Sequence, residues 1–275
     1  MTITDPIASL KTPVRRHLVD TDYGQIHVRV TGEAQEGVPP VLLVHQTPSS
    51  SREWMSVAQE LGPRQCIVPD LIGLGFSDPA PQAMSLVDHA TAITQVVSSF
   101  SDSWVAVGHH TGAVIATTLT GMNKKSTLGL GIIGYPFYST WRERYSRLTN
   151  CNVTPMDADG EAAAAMWRAS AGGYGPTLPE EDVMRIVSDK LLAGPVWFGT
   201  YVALWMSDLV QIVETAADSD RPTVLLAPED DSLSKFAGPV AEILGITPTT
   251  MPGGGRVLSE HPDLVAEALA PLLKA

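Results

Sequence analysis

The stretch VAVGHHTGAV (Val105–Val114) places an imidazole at a position built for chemistry. A strand-like run meets glycines at Gly108 and Gly112, and a helix-like run follows. That is the spacing of G-x-S-x-G, the turn that lifts a nucleophilic serine off the end of a strand. Here the middle residue is His110. A hydroxyl at such a turn forms acyl-enzymes, whereas an imidazole offers general-base or direct nucleophilic chemistry.

The elements that must position this turn alternate along the chain. Residues 14–31 alternate on both sides of DYG, as in a hairpin. VLLVH (41–45) and CIVPD (66–70) are short apolar runs suited to strands buried on both faces. Helix-like SREWMSVAQEL lies between them, and amphipathic SLVDHATAITQVVSSF (85–100) precedes the strand WVAVGHH. GAVIATTLTGM predicts a helix, LGLGIIGYPF (128–137) a strand, PTVLLAPEDD (222–231) another strand, and HPDLVAEALAPLLKA a final helix. This alternation implies a parallel sheet covered on both faces. Residues 138–217 break the rhythm, being mainly helix-like and holding Trp141, Trp167, Trp197 and Trp205. They form a candidate cap, whose rings either pack inside it or line an apolar pocket.

The composition narrows the partners. The chain has 275 residues, 44% hydrophobic and 17% charged, which fits a globular protein with a sizeable core. Eighteen basic against 30 acidic residues give a net charge of −12, which disfavours nucleic acids and anionic membranes. Cys66 and Cys151 match no disulfide framework or metal motif, and Cys66 falls in a strand as a small buried hydrophobe. With no signal-peptide stretch and no membrane-spanning apolar run, the expectation is a soluble cytoplasmic protein.

Five segments in order, VLLVHQTPSSSREW, PDLIGLGFSDP, GHHTG, PEDD and GGGRVLSEHPDLV, resemble the α/β-hydrolase-fold superfamily. HQTP is similar to the H-G-x-P turn of haloalkane dehalogenases and epoxide hydrolases, with Gln46 replacing the glycine. DLIGLGFSD resembles their D-x-x-G-x-G-x-S-x loop. The resemblance implies an α/β-hydrolase core over 1–137 and 218–275 with a helical cap at 138–217. It puts His110 in the nucleophile's place and gives the backbone N–H groups of Thr47 and Thr111 to an oxyanion hole. It makes Asp231 the acid, or Asp230 if the alignment slips by one. The family's catalytic histidine would fall at Gly255, or at Arg256 after a one-residue slip, while His261 belongs to the following helix start.

Both working members of a Ser–His pair are therefore absent, and serine-esterase chemistry does not fit. Gly255 leaves an imidazole-sized gap into which His110 could project to meet Asp231, directly or through water. A carboxylate would raise the imidazole's basicity and burial would lower it, so the net sign stays open. The alternative is a decayed triad with His110 filling space. His45 and His109 lie near enough in this fold to raise zinc. His45, however, is expected to hold backbone groups and His109 to face away from His110, and no H-x-H or H-E-x-x-H spacing occurs. No metal or cofactor is expected. Asp70 and Asp78 are expected to hold the LIGLGFS loop, and Ser49, Ser50 and Ser51 to cap a helix.

His45, Gln46, Trp141 and Trp205 are the expected pocket residues. The implied function is a cofactor-independent enzyme acting on a small or medium carbonyl compound with an apolar or aromatic body. Its reaction is hydrolysis, carbon–carbon cleavage, decarboxylation or enolate-type chemistry. The alternatives are a receptor-like ligand binder and a cyclase or rearrangement catalyst using the same pocket.

Overall fold

Val41–Val44 are four consecutive apolar residues, all fully buried, and they form a strand near the middle of the sheet. In the computed structural model, residues 12–80, 83–150, 157–172, 180–194, 197–218 and 220–274 are described. Cys151 lies outside them. Eight strands make one sheet: β1 (Val14–Thr21), β2 (Gly24–Thr31), β3 (Val41–Val44), β4 (Cys66–Pro69), β5 (Trp104–His109), β6 (Thr127–Ile133), β7 (Thr223–Pro228) and β8 (Thr249–Met251). Their spatial order is β1-β2-β4-β3-β5-β6-β7-β8. β1 and β2 form the expected hairpin, and β2 runs antiparallel to β4. The remaining pairings are parallel, with Val44 opposite Gly108 and His109 opposite Ile133.

After β3 the chain moves outward to β4, then returns to the other side of β3 as β5. Strand order thus reverses between β3 and β5, where open α/β sheets form a crevice beyond the carboxyl ends of the strands. The HQTP and GHHTG segments leave the sheet at this point.

The helices follow from the same alternation: α1 (Met55–Glu60), α2 (Leu86–Ser98), α3 (Thr111–Met122), α4 (Trp141–Asn150), α5 (Glu161–Gly172), α6 (Glu180–Ala193), α7 (Trp197–Met206), α8 (Leu209–Ala216), α9 (Ala237–Leu244), α10 (Val257–Glu260) and α11 (Pro262–Leu269). α2 begins with a capping box: Ser85 Oγ accepts from the Asp88 N–H, and the Asp88 carboxylate accepts from the Ser85 N–H. α3 is buried from Thr111 to Thr120 because α2, α8 and the sheet enclose it. One apolar cluster includes Val44, Val114, Leu130 and Val213; the other includes Leu43, Val107, Val265 and Leu269, so both faces of the sheet are covered.

Two details differ from the sequence pattern. β6 stops at Ile133 rather than running on to Phe137, because Gly134 takes φ +60° and turns the chain. Within the mainly helical stretch between β6 and β7, α8 packs along α3 as part of the layer covering the sheet. No helix among the described residues is long and apolar enough to cross a membrane. Cys66 is fully buried, and burial pushes its thiol up to about 12, so it behaves as a small hydrophobe.

Asp70 ties the loops at this edge together. Its carboxylate accepts from the Ser51 and Phe76 N–H groups and pairs with His27 Nδ1 at 2.9 Å. Asp78 accepts from the Gln25 N–H at 2.8 Å. Burial raises the Asp70 pKa, but His27, His45 and the two backbone donors hold it at about 2. Because the folded value is depressed, this stabilisation is complete above the ordinary carboxylate value of about 4 and fades as pH falls toward 2. Asp70→Ala should cost about 3–5 kcal/mol in urea denaturation at pH 7, since it strands buried donors and a buried histidine. A loss within experimental error would show that the loops hold without it.

Candidate active site

His110 stands between β5 and α3 with φ +50° and ψ −116°, and among the described residues it is the one non-glycine with positive φ. Such a backbone costs about 1–3 kcal/mol and persists only where the surroundings enforce it. The flanking glycines supply that enforcement through close approach. A Cβ at Gly108 would sit 2.2 Å from the Gly112 carbonyl oxygen, and one at Gly112 would sit 2.2 Å from the Val44 carbonyl oxygen. The sharp turn throws the imidazole off the strand end, where its side chain is 18% exposed.

His110 Nε2 lies 2.8 Å from Oδ2 of Asp231, which follows β7 and is itself 2% exposed at the side chain. Asp231 Oδ1 accepts from the Leu233 N–H at 2.9 Å, which fixes the carboxylate. A Cβ on Gly255 would be 3.4 Å from His110 Cε1 and 4.0 Å from its Nε2, so the ring occupies the space beside that glycine. Asp230, the neighbouring alternative, does not reach the imidazole; its N–H bonds the Gly253 carbonyl instead. Burial first, and the neighbouring His109 second, lower the His110 pKa below the ordinary imidazole value; the Asp231 hydrogen bond and charge oppose them. For Asp231, burial raises the pKa, but the hydrogen bond and charge of His110 outweigh it and the net shift is downward. The pair thus favours a neutral imidazole beside a carboxylate. With Nε2–H given to Asp231, Nδ1 is left as the basic nitrogen.

Two cavities meet at this ring. One, of about 260 Å³, is lined among others by Gln46, Thr47, His110, Lys190, Gly255 and Arg256. The other, of about 420 Å³, is mainly apolar, with Pro136, Tyr138, Leu204 and Trp205 on its walls, and it also carries Arg147 and Asn150 beside Thr111. His110, Tyr201 and Leu233 border both. The Tyr201 hydroxyl donates to the Thr47 carbonyl oxygen at 2.6 Å, and its ring stacks on Trp205 with centroids 5.0 Å apart. α7 therefore braces the segment that carries Thr47. Thr111 is the first residue of α3, where N–H groups have no intrahelical acceptor.

Two of the expected pocket residues, His45 and Trp141, are corrected. His45 is fully buried and lines neither cavity: Nδ1 bonds the Gln46 carbonyl at 2.7 Å, and the Leu71 N–H donates to Nε2 at 3.0 Å. Its nitrogens are spent on holding the turn. Trp141 is 51% exposed on α4 beside Tyr145 and lines neither cavity, whereas Trp205 is buried and lines the apolar one. Trp141 sits on a helix whose other residues are almost all exposed, so its ring has no wall to join. The side chain of Trp197 lies outside the described residues. His261 starts α11 near Gly253, outside both cavities. Ser50 Oγ caps the turn that begins at Ser51, and Ser49 lines the smaller cavity.

His109 does not face away from His110. The positive φ of His110 doubles the chain back, and the two rings stand 4.1 Å apart at 35°. The pairing of His109 with Glu53 had no signal in the sequence. Glu53 is buried and accepts from His109 Nδ1, the Gln46 N–H and the Gln46 side-chain amide. Burial raises the Glu53 pKa, yet these partners, His109 foremost, bring it to about 2. Ligand atoms of His109, His110 and Asp231 lie within 4.8 Å of one another. In this structure His109 Nδ1 is engaged by the Glu53 carboxylate and His110 Nε2 by the Asp231 carboxylate.

Comparison with known proteins agrees with the fold. A sequence profile described as "Alpha/beta hydrolase family" matches residues 41–268. The LipZ protein of Mycobacterium tuberculosis is 31% identical over 101 residues, which cover 36% of this chain and 34% of LipZ. The chain thus spans about a third of that curated relative. Epoxide hydrolase A from Mycobacterium thermoresistibile superposes with TM-score 0.77 at 16% identity, over 96% of this chain and 99% of the other. Haloalkane dehalogenase DbeA from Bradyrhizobium elkani superposes with TM-score 0.71 at 20% identity, over 94% and 99%. At these identities the likeness concerns the fold.

The packing around the pair can be tested through its glycines. A Cβ on Gly134, at φ +60°, would lie 2.5 Å from both Asp231 Oδ2 and His110 Cδ2. Gly134→Ala should therefore destabilise by more than about 1 kcal/mol in urea denaturation, because strain and clash add. Gly255→Ala, whose Cβ meets His110 at ordinary contact distance, should change stability far less. Equal costs for the two would show that the ring is not held where these distances place it.

Proposed function

Since this chain belongs to the alpha/beta hydrolase family, we propose that it is an enzyme of that family in which His110 is the general base, held by Asp231. The observation that carries the reading is the 2.8 Å contact between His110 Nε2 and Asp231 Oδ2 at a strained turn bordering two cavities. In a Ser–His–Asp triad the acid holds Nδ1 and Nε2 takes the proton. Here the imidazole comes from the elbow itself, so Nε2 faces the acid and Nδ1 becomes the base. In the proposed hydrolysis, Nδ1 takes a proton from water as its oxygen attacks a carbonyl carbon. The oxygen of that carbonyl gains the negative charge, and the backbone N–H groups of Thr47 and Thr111 stabilise it. The imidazolium, paired with Asp231, then returns the proton to the leaving group as its bond to carbon breaks. An oxyanion hole of this kind contributes about 3–4 kcal/mol per donor to the barrier. The same base and hole suit hydrolytic carbon–carbon cleavage, with a carbon leaving group in place of oxygen. No step calls for a cofactor. Helices α4–α7 serve as the cap, and the apolar cavity beneath them takes the aliphatic or aromatic body of the substrate.

Steady-state kinetics test the assignment. His110→Ala should abolish turnover, and Asp231→Asn should lower the rate by up to about four orders of magnitude, the loss seen when a triad carboxylate becomes an amide. For wild type, kcat/KM should fall on the acid side with an apparent pKa below the ordinary value of about 6.5, because burial and His109 lower it. In Asp231→Asn that limb should move lower still, since the group opposing those effects is removed. Full activity in His110→Ala would refute the base, and an acid limb above pH 7 would refute the proposed environment.

A further inference from the structure

The backbone groups of Gln46 and Thr47 are spent one by one, with a single exception. The Gln46 N–H donates to Glu53 Oε2 at 2.9 Å. The Gln46 carbonyl oxygen bonds His45 Nδ1 at 2.7 Å, and the Leu71 N–H donates to Nε2 of the same ring at 3.0 Å. Nε2 is thus the accepting nitrogen, and Nδ1 carries the proton given to Gln46. The Thr47 carbonyl oxygen accepts from the Tyr201 hydroxyl at 2.6 Å. Of these groups the Thr47 N–H alone finds no acceptor among the described residues. Yet Thr47 is buried, and it lines the smaller cavity together with His110. Buried N–H groups without a partner are rare, and one at a cavity wall marks where a ligand's acceptor belongs.

Building on the His110 reading, we propose that Tyr201 is a positioning residue, which reaches from α7 to aim the Thr47 N–H at the substrate's oxyanion. Peptide units are planar, so a residue turns about two soft dihedrals. The bond from His45 fixes the peptide unit before the Thr47 Cα, and the bond from Tyr201 fixes the one after it. With both held, the direction of the Thr47 N–H is set. The bond to the Gln46 carbonyl also polarises the peptide that carries this N–H and strengthens it as a donor. The holders differ in origin. His45 follows β3 and Glu53 lies in the turn before α1, whereas Tyr201 comes from α7 and borders both cavities. Its ring lies nearly parallel to that of Trp205, at 6° with centroids 5.0 Å apart, which limits how the hydroxyl can swing. The oxyanion hole is therefore completed across the boundary between the core and α7. The Tyr201 hydroxyl touches no reacting atom and acts through the Thr47 backbone alone.

Tyr201→Phe tests this, because it keeps the ring and its stack on Trp205 and removes only the hydroxyl. With methyl 4-phenylbutyrate as substrate, kcat should fall by about ten- to a hundredfold while KM changes by less than about twofold, the pattern of a lost transition-state interaction. The acid limb of kcat/KM should stay at its wild-type position, since His110 and Asp231 are untouched, whereas Asp231→Asn moves it. Trp205→Leu, which also removes cavity wall, should raise KM. Amide solvent exchange measured by NMR on the unliganded protein needs no turnover. Tyr201→Phe should speed exchange of the Thr47 amide by about tenfold or more and leave the Leu71 amide at its wild-type rate. His110→Ala should abolish turnover yet leave Thr47 exchange unchanged, so failure of the base and failure of the positioning give different results. An unchanged kcat in Tyr201→Phe, a rise in KM alone, or Thr47 exchange at the wild-type rate would overturn the proposal. So would equal acceleration of Thr47 and Leu71, which would signal general loosening. If methyl 4-phenylbutyrate is not turned over, the exchange result decides by itself.

Discussion

The contact between His110 and Asp231 organises this molecule's candidate site. A ring on a strained turn reaches a carboxylate at the end of another strand, and both lie against Gly134, which leaves no room for a Cβ. Gly108 and Gly112 let α3 start hard against β3, and that closeness gives His110 its positive φ. Gly134 lets β6 end beside Asp231, while Gly255 leaves the space that a longer residue in the nucleophile's place fills. In a Ser–His–Asp site the imidazole sits between hydroxyl and acid. Here one imidazole reaches the acid directly from the elbow position.

A second layer holds this arrangement in place. Glu53 and His109 form a buried hydrogen-bonded pair behind the ring, and Gln46 fastens the HQTP turn to Glu53. Tyr201 ties the Thr47 carbonyl to α7, and Asp189 ties α6 to the core through Arg52 and Ser50. The helices above the sheet are therefore fixed on both sides of the crevice. Substituting Gln46 where similar turns have glycine gives Glu53 a second donor from the same residue.

Much of the architecture was legible in the sequence because it rests on local pattern. Apolar runs of four to six residues gave the central strands, and paired glycines gave the turn at His110. The meeting of His110 with Asp231 was legible too, because a missing histidine at Gly255 and an extra one at His110 are complementary in size. What escaped depends on long-range contacts. His109 and Glu53 are 56 residues apart and meet only in the folded chain. The exposure of Trp141 and burial of Trp205 depend on how helices rotate against one another, which aromatic content does not disclose. Arg185, Lys190 and Arg256, which line the smaller cavity, come from α6 and the segment before α10, and no local motif brings them together.

Nitrogen NMR of histidine-labelled protein tests the central claim most directly, because it reads the protonation state and tautomer of His110 without a substrate. The neutral ring should carry its proton on Nε2, hydrogen-bonded to Asp231, and should titrate below the ordinary value of about 6.5. In Asp231→Asn the resonance assigned to His110 should titrate lower still. A proton on Nδ1 in the neutral ring, or titration at or above pH 7 in the wild-type protein, would contradict it.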